Sequence, residues 1–275
     1  MDEYRFSNAL DYTHAQLSEM HNLSFSGYFF PMTITPAKSA NYWRTHQIDA
    51  NRCVVMHDRH GDFVGMARMG TRGRRGWCGG FGIAPQFRGR GASHVLAERM
   101  VQVARESELA TLQLEVLTQN TRAFKVYEKA GFVAKRRLFG LEMETSALPA
   151  GSRLQTETSG PEAFLPLVYM DGDPCWGCEP ASILTLQTET ITVPDPQGRA
   201  NSLLVWRTHE VAEILGAVFQ SELTDGELVT VLRRAAGDAP KLWLYNEPEQ
   251  SPFLARCRSL GFKEFFTQYE MSMQL

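Results

Sequence analysis

Two Gly-Phe pairs, Gly131-Phe132 and Gly261-Phe262, close the two halves of this 275-residue chain at matching places about 130 residues apart. Ahead of each pair runs the same succession: two apolar runs around a turn, a third apolar run, a helical pattern, an alternating strand and a short helix. Another strand-like run follows each pair. A period this long lies far outside the ~20–50 residues of solenoid repeats. It predicts a duplicated α/β (α+β) domain, and either half is long enough to bury a core of its own.

In the first half, residues 8–22 mix apolar and polar positions like a surface helix. The stretch from Ser24 to Pro36 is irregular and aromatic, with Phe25, Tyr28, Phe29 and Phe30 close together. Cys53–Met56 and Phe63–Met69 flank Asp58-Arg59-His60-Gly61-Asp62 as a hairpin would. Trp77–Ile83 reads as a third strand, and its interior Gly79, Gly80 and Gly82 predict close approach of a ligand or another backbone. Val95, Leu96, Met100 and Val101 then recur at helical spacing up to about Glu108. Thr111–Leu117 alternates as a strand, Thr121–Lys129 is a short helix stopped by Gly131, and Val133–Glu144 is a last strand. Ser146–Pro161 is rich in Ser, Thr, Gly and Pro and reads as a linker, which predicts domains at 1–148 and 158–275. In the second half, Val211–Phe219 fits a strand or a helix.

The net charge of −3 disfavours a general nucleic-acid binder, because phosphate contacts demand a basic face. No apolar run approaches the ~18 residues of a membrane span. Met1-Asp2-Glu3-Tyr4-Arg5 lacks the basic and then apolar regions of a signal peptide, so a cytoplasmic location is expected. The five cysteines are odd in number and scattered, which fits free thiols better than a disulfide framework. Cys175-Trp176-Gly177-Cys178 has the spacing of a zinc or redox pair. It lacks a second ligand pair and does not open a helix after a strand, so an incidental reading is preferred and no metal is expected.

The stretch that carries chemistry is Phe81-Gly82-Ile83-Ala84-Pro85-Gln86-Phe87-Arg88-Gly89-Arg90-Gly91-Ala92-Ser93. A strand ends, glycines turn the chain, and a helix begins near Ser93. Such a loop aims successive N–H groups and a helix N-terminus at one point, which suits a phosphate. Arg88 and Arg90 add charge for a diphosphate, and Ser93 is a small residue suited to capping the helix. The run Arg-Gly-Arg-Gly taken alone fits a solvated glycine turn equally well. No Gly-Lys followed by Ser or Thr makes a Walker loop, and His94 stands where a dinucleotide fingerprint needs its third glycine.

Here the chain resembles the GCN5-related N-acetyltransferase (GNAT) superfamily over roughly residues 4–145. The family's acetyl-CoA loop, Q/R-x-x-G-x-G/A, is matched by Arg88-Gly89-Arg90-Gly91-Ala92-Ser93 after Ile83-Ala84-Pro85, with Ser93 departing at the last position. Its second signature is matched by Asn120, Ala123, Tyr127 and Gly131-Phe132. Thr71-Arg72-Gly73 also looks like a tandem-domain branch of the family. The resemblance implies two tandem GNAT-like domains, each a mixed, mostly antiparallel sheet flanked by helices. It implies acetyl-CoA as acyl donor and a primary amine, on a small molecule or a peptide, as acceptor.

Residue by residue, the resemblance implies that the backbone of Phe81 and Ile83 pairs with the pantetheine arm. The N–H groups from Arg88 through Gly89, Arg90, Gly91 and Ala92 to Ser93 hold the pyrophosphate, and the Asn120 side chain contacts the cofactor arm. Tyr127 protonates the leaving thiolate; outside the motif it would read as a core residue of an amphipathic helix. Tyr28, Phe29 and Phe30 lie where relatives usually bind acceptors. Trp77–Ile83 contains no carboxylate to act as base. Glu115 lies on the next strand and reads more readily as a structural carboxylate. A water chain or a neutral amine would serve instead. The second half has no Gly-Arg loop between Val211 and Gly226, and aligning the Gly-Phe pairs puts Cys257 opposite Tyr127. That half is expected to keep the fold without acetyl-CoA binding, and either to shape the acceptor pocket or only to stabilise. A non-catalytic acyl-CoA-binding or interaction protein is the alternative to an enzyme.

Overall fold

Side-chain caps decide where the first two α-helices begin. The structure, a computed structural model, describes residues 4–170 and 172–275. After strand β1 (Tyr4–Ser7), Thr13 and Gln16 form a capping box that opens α1 (His14–Ser24). Helix α2 (Pro36–His46) starts on Thr35, whose hydroxyl accepts from the Lys38 amide, with Pro36 at the first helical position. Hydrophobic spacing alone does not mark α2; the Thr-Pro start is its one local signal. Strands β2 (Val54–Asp58), β3 (Phe63–Arg72) and β4 (Arg75–Ile83) follow as an antiparallel meander beside β1. Then come α3 (Ala92–Glu106), β5 (Thr111–Leu117), α4 (Thr121–Lys129) and β6 (Val133–Glu144).

Strand alternation puts the two faces of this sheet under different helices. Ala67 and Met69 of β3, joined by Val64 through a β-bulge where Met56 pairs with Gly65 and His57 with Phe63, meet Leu96, Met100 and Ala104, which recur every four residues along α3. Met66, on the other face, packs with Leu17 of α1 and Trp43 of α2.

The second half contains β7 (Glu157–Ser159), the one-turn α5 (Pro180–Ile183), β8 (Thr188–Thr192), β9 (Asn201–Arg207), β10 (Val211–Phe219), α6 (Asp225–Ala236), β11 (Lys241–Pro248), α7 (Pro252–Ser259) and β12 (Lys263–Gln274). Val211–Phe219 is a strand because it finds partners on both sides, β9 antiparallel and β11 parallel. Leu228, Val231 and Leu232 of α6 bury against Leu203, Val205, Ile214, Leu242 and Leu244. No helix among the described residues is long and apolar enough to cross a membrane.

The two compact units are Met1–Lys135 with Tyr269–Leu275, and Arg136–Gln268. This differs from the boundary expected at 148/158. Most of β6 belongs to the second unit, antiparallel to β11, with Phe139, Leu141 and Met143 in that core. The end of β12 belongs to the first unit, where Met271 and Met273 are buried and the Leu275 amide donates to the Ala110 carbonyl oxygen at 3.1 Å. Each sequence half thus supplies the last strand of the other unit. An alternating strand pattern says which face is buried but not which neighbour it pairs with.

Candidate functional site

Strands β4 and β5 run parallel from Arg75↔Thr111 to Cys78↔Leu114, and there the ladder stops although both strands continue. The register of β3 against β4 shifts at the same place, with Met69 opposite Cys78 and Arg68 opposite Gly80, so Gly79 is bulged. Beyond the bulge, the Ala84 amide donates to the Val64 carbonyl oxygen at 2.8 Å. Antiparallel bonding alternates, so Gly82 also faces β3 while the N–H and C=O groups of Phe81 and Ile83 face the opened edge toward β5. The Ile83 carbonyl oxygen is taken by Arg88 Nε at 2.8 Å; the Phe81 groups remain open to a ligand.

The opened edge ends at the glycine loop. Gly89 (φ 74°) and Gly91 (φ 86°) adopt left-handed backbone that a β-carbon disfavours, and a Cβ built on either meets no protein atom within 4 Å. Gly91, not Ser93, caps α3, and no side chain caps that end. The amides of Gly89, Arg90, Gly91, Ala92 and Ser93 donate to no acceptor among the described residues. Five orphan donors beside a helix N-terminus form an anion cradle. Of the two arginines expected to add charge there, Arg90 is exposed. Arg88 instead turns back, its Nη2 donating to the Ser24 carbonyl oxygen at 2.9 Å as its Nε holds Ile83, and so it braces the loop.

Tyr127 lies 6% exposed on α4, edge-on to Phe81 (5.4 Å between centroids) and Phe132 (5.9 Å). Its hydroxyl has no hydrogen-bond partner among the described residues. Burial holds its pKa well above the usual phenol value, with Cys78 and Tyr28 reinforcing the shift, so it stays protonated at any physiological pH. The Tyr28 hydroxyl is within hydrogen-bonding reach of the Asn120 side chain. Asn120 Oδ1 also caps α4 by accepting from the Ala123 amide at 3.2 Å, so this residue has a structural task as well. Tyr28 therefore joins Asn120 and Tyr127. Phe29 is 49% exposed and stacks edge-on against Tyr28, and Phe30 shows no ring contact with it.

The α1/α2 face of the opened strands carries groups that motif reasoning does not reach. The Tyr42 hydroxyl donates to the bulged Gly79 carbonyl oxygen at 2.6 Å, and burial pushes its pKa up to about 12. Trp77 Nε1 donates to Glu115 Oε2 at 2.7 Å, which gives the Glu115 carboxylate a fixed position on this face. His46 lies 5.1 Å from the Trp77 ring, and burial lowers its pKa to about 3, with Arg72 and Arg68 adding to the effect. His21 Nε2–H donates to the Met32 carbonyl oxygen at 2.7 Å; burial and then Arg68 lower its pKa to about 4. The strand glycines are explained by neighbours within the protein: a Cβ on Gly80 would lie 2.3 Å from Arg68 Nη2, and one on Gly82 2.7 Å from Ser24 Cβ.

The second unit repeats the divergence, its β10–β11 ladder ending at Ile214↔Leu244. A cavity of about 270 Å³ there is lined by Leu215, Gly216, Tyr245, Asn246, Cys175 and Cys178 among others. The two cysteine sulfurs are 3.4 Å apart, buried and unbridged. Unlike α3, α6 begins with a capping box in which the Thr224 and Glu227 side chains satisfy each other's backbone amides. Cys257 is fully buried in that core.

Residues 17–132 match the family described as Acetyltransferase (GNAT). The whole chain superposes on a tandem GNAT protein from the clavulanic acid biosynthesis pathway, with a TM-score of 0.69, 14% identity, and coverage of 99% of this chain and 98% of that one. A GCN5-related N-acetyltransferase from Sphaerobacter thermophilus matches with a TM-score of 0.71 and 12% identity over 100% and 96% of the two chains. At these identities the structural likenesses establish the fold, a tandem arrangement of two such domains.

Proposed function

We propose that the first unit of this chain, whose residues 17–132 match the Acetyltransferase (GNAT) family and whose fold is that of tandem GNAT proteins, moves an acetyl group from acetyl-CoA to a primary amine by direct attack on the thioester. One observation carries this reading: the opened β4 edge leads directly into five amides with no acceptor among the described residues, with the Tyr127 ring edge-on to Phe81. The residues fit the cofactor. The amides of Gly89–Ser93 would hold the diphosphate, the Phe81 backbone would pair with the pantetheine amide groups, and the remaining Asn120 N–H groups would contact the same arm.

Bound acetyl-CoA supplies the activated acyl group, and the protein supplies position and a proton. The slot holds the reacting carbon while the acceptor approaches from the α1/α2 face. Tyr127 keeps its proton because burial disfavours tyrosinate, and it donates that proton to the departing sulfur. The same dry site makes the thiolate more basic, which eases the transfer. Glu115 is held by Trp77, so the incoming amine loses its proton to water or arrives neutral.

The test is thiol release from acetyl-CoA by the purified full chain, followed with a thiol reagent across a panel of primary amines. Amine-dependent release is the expected result. Cofactor binding without release from any amine would leave a non-catalytic acyl-CoA-binding protein.

A further inference from the structure

Arg68 is a buried cation on the acceptor face, and among the described residues no carboxylate forms an ion pair with it. It is 4% exposed, on β3 opposite the bulge. Its guanidinium occupies the space that a Cβ on Gly80 would take, and its Cζ sits 4.8 Å from the Tyr42 ring centroid. Its single hydrogen bond among the described residues runs from Nη2 to the Gly79 carbonyl oxygen at 3.2 Å, and that oxygen is already engaged by Tyr42. Nε is buried with no hydrogen-bond partner among the described residues. Among the described residues no carboxylate pairs with Arg68. Glu115, on the same face, is held by Trp77.

Desolvating a guanidinium without a counter-ion is unfavourable, and folded proteins retain such a group where an anion completes it. The surrounding groups do not supply that anion. His21 and His46 are neutral near pH 7, and Cys78, Cys53 and Tyr42 are held protonated, chiefly by burial. The diphosphate has its own cradle at Gly89–Ser93. Arg68 instead lies beside Gly79 and Gly80, immediately before Phe81, on the face left for the acceptor. Cys78 senses the Arg68 charge and in turn adds to the Tyr127 shift, so the guanidinium and the proposed acid flank one stretch of β4. The arginine fork matches a carboxylate in a bidentate pair.

We propose, on the footing of the acetyltransferase reading, that the acceptor carries a carboxylate as well as its amine and that Arg68 binds this carboxylate. The substrate class is therefore a small amino acid. The carboxylate anchors the molecule at Gly79–Gly80 and the amine is presented toward Phe81 and Tyr127.

The test uses the full chain and matched pairs of amines that differ by one carboxylate: lysine against cadaverine, phenylalanine against phenethylamine, tyrosine against tyramine. The expected result is a kcat/KM at least ~10-fold, and up to ~100-fold, higher for the carboxylate member of the accepted pair, expressed mainly in KM. In Arg68→Gln this ratio falls toward one, and Arg68→Lys, which keeps the charge but not the fork, gives an intermediate ratio. Binding of the corresponding N-acetylamino acids, measured by calorimetry, is lost in Arg68→Gln. The wild-type ratio stands whether or not the variants fold. A ratio near one with good turnover overturns the carboxylate site and leaves the acetyltransferase. Turnover of carboxylate-free amines that prefers succinyl-CoA to acetyl-CoA also overturns it, by assigning Arg68 to the donor. Arg68-dependent binding of N-acetylamino acids without any thiol release supports the carboxylate site and overturns the acetyltransferase.

Discussion

The helix that follows the diverging strand begins differently in the two units, and the difference divides their chemistry. In the first unit, α3 opens on Gly91 with no side-chain cap, and five consecutive amides find no acceptor among the described residues. In the second, α6 opens on Thr224 and Glu227, whose side chains satisfy the exposed donors, and Asp225 adds a further negative charge to the first turn. A self-capped, acidic helix start is closed to a phosphate. The same fold thus carries one open anion cradle and one sealed one. Opposite the two cradles, the first unit places the buried phenol of Tyr127 and the second a fully buried Cys257, whose thiol burial pushes well up and out of use.

Removing the returning strand gives the largest expected effect. A chain ending at Gln268 takes Met271 and Met273 out of the first unit's core, where each truncated side chain is worth roughly 2–5 kcal/mol. Circular dichroism and acetyl-CoA titration should report loss of the first unit's fold and of binding. A fragment of residues 1–150 should fail likewise. If either chain folds and binds acetyl-CoA normally, the exchange of last strands is not part of the first unit's stability.

Next comes the open cradle itself. Gly91→Val places a β-branched side chain at φ 86° and should abolish acetyl-CoA binding in calorimetry, while wild type binds one molecule per chain. Two equal sites would erase the distinction between α3 and α6. Removing the Tyr127 hydroxyl is expected to act on rate and not on binding. Tyr127→Phe should lower kcat by ~10²–10⁴ with little change in cofactor affinity, whereas Cys257→Ala should leave kcat untouched. An unchanged kcat in Tyr127→Phe, with chemistry limiting, removes that residue from the mechanism.

The smallest effect sharpens the comparison by pH. In the first unit, His21 (about 4) and His46 (about 3) titrate below the ordinary histidine value of 6.5, chiefly through burial. The unfolded chain binds these protons first, so stability is fully present above pH 6.5 and falls as the pH drops toward 4. In the second unit, burial raises Glu213 from 4.5 to about 7. There the folded state holds the proton longer, so stability is greatest below pH 4.5 and is lost as the pH rises through 7. Hydrogen exchange resolved by peptide should show opposite slopes for the two units between pH 4.5 and 6.5, and Glu213→Gln should flatten the second. Parallel slopes would show that these buried groups do not govern either unit.

Much of this protein is legible from the order of its residues. Strands, helices and turns are local, so the hairpins, α3, the alternation of Thr111–Leu117 and the helix ending at Gly131 follow from spacing and from glycine. Gly89 and Gly91 signal a backbone cradle because only that conformation explains them. Tertiary structure alone decided three things. It assigned β6 and the end of β12 to the units opposite their sequence halves, since pairing is a choice among distant edges and an alternating strand does not encode its neighbour. It made Val211–Phe219 a strand by supplying partners on both sides. And it turned Arg68, an ordinary arginine in an apolar run, into a buried cation that no carboxylate pairs with among the described residues: a charge's environment depends on what the chain folds over it, here Tyr42 from α2, across a glycine at position 80.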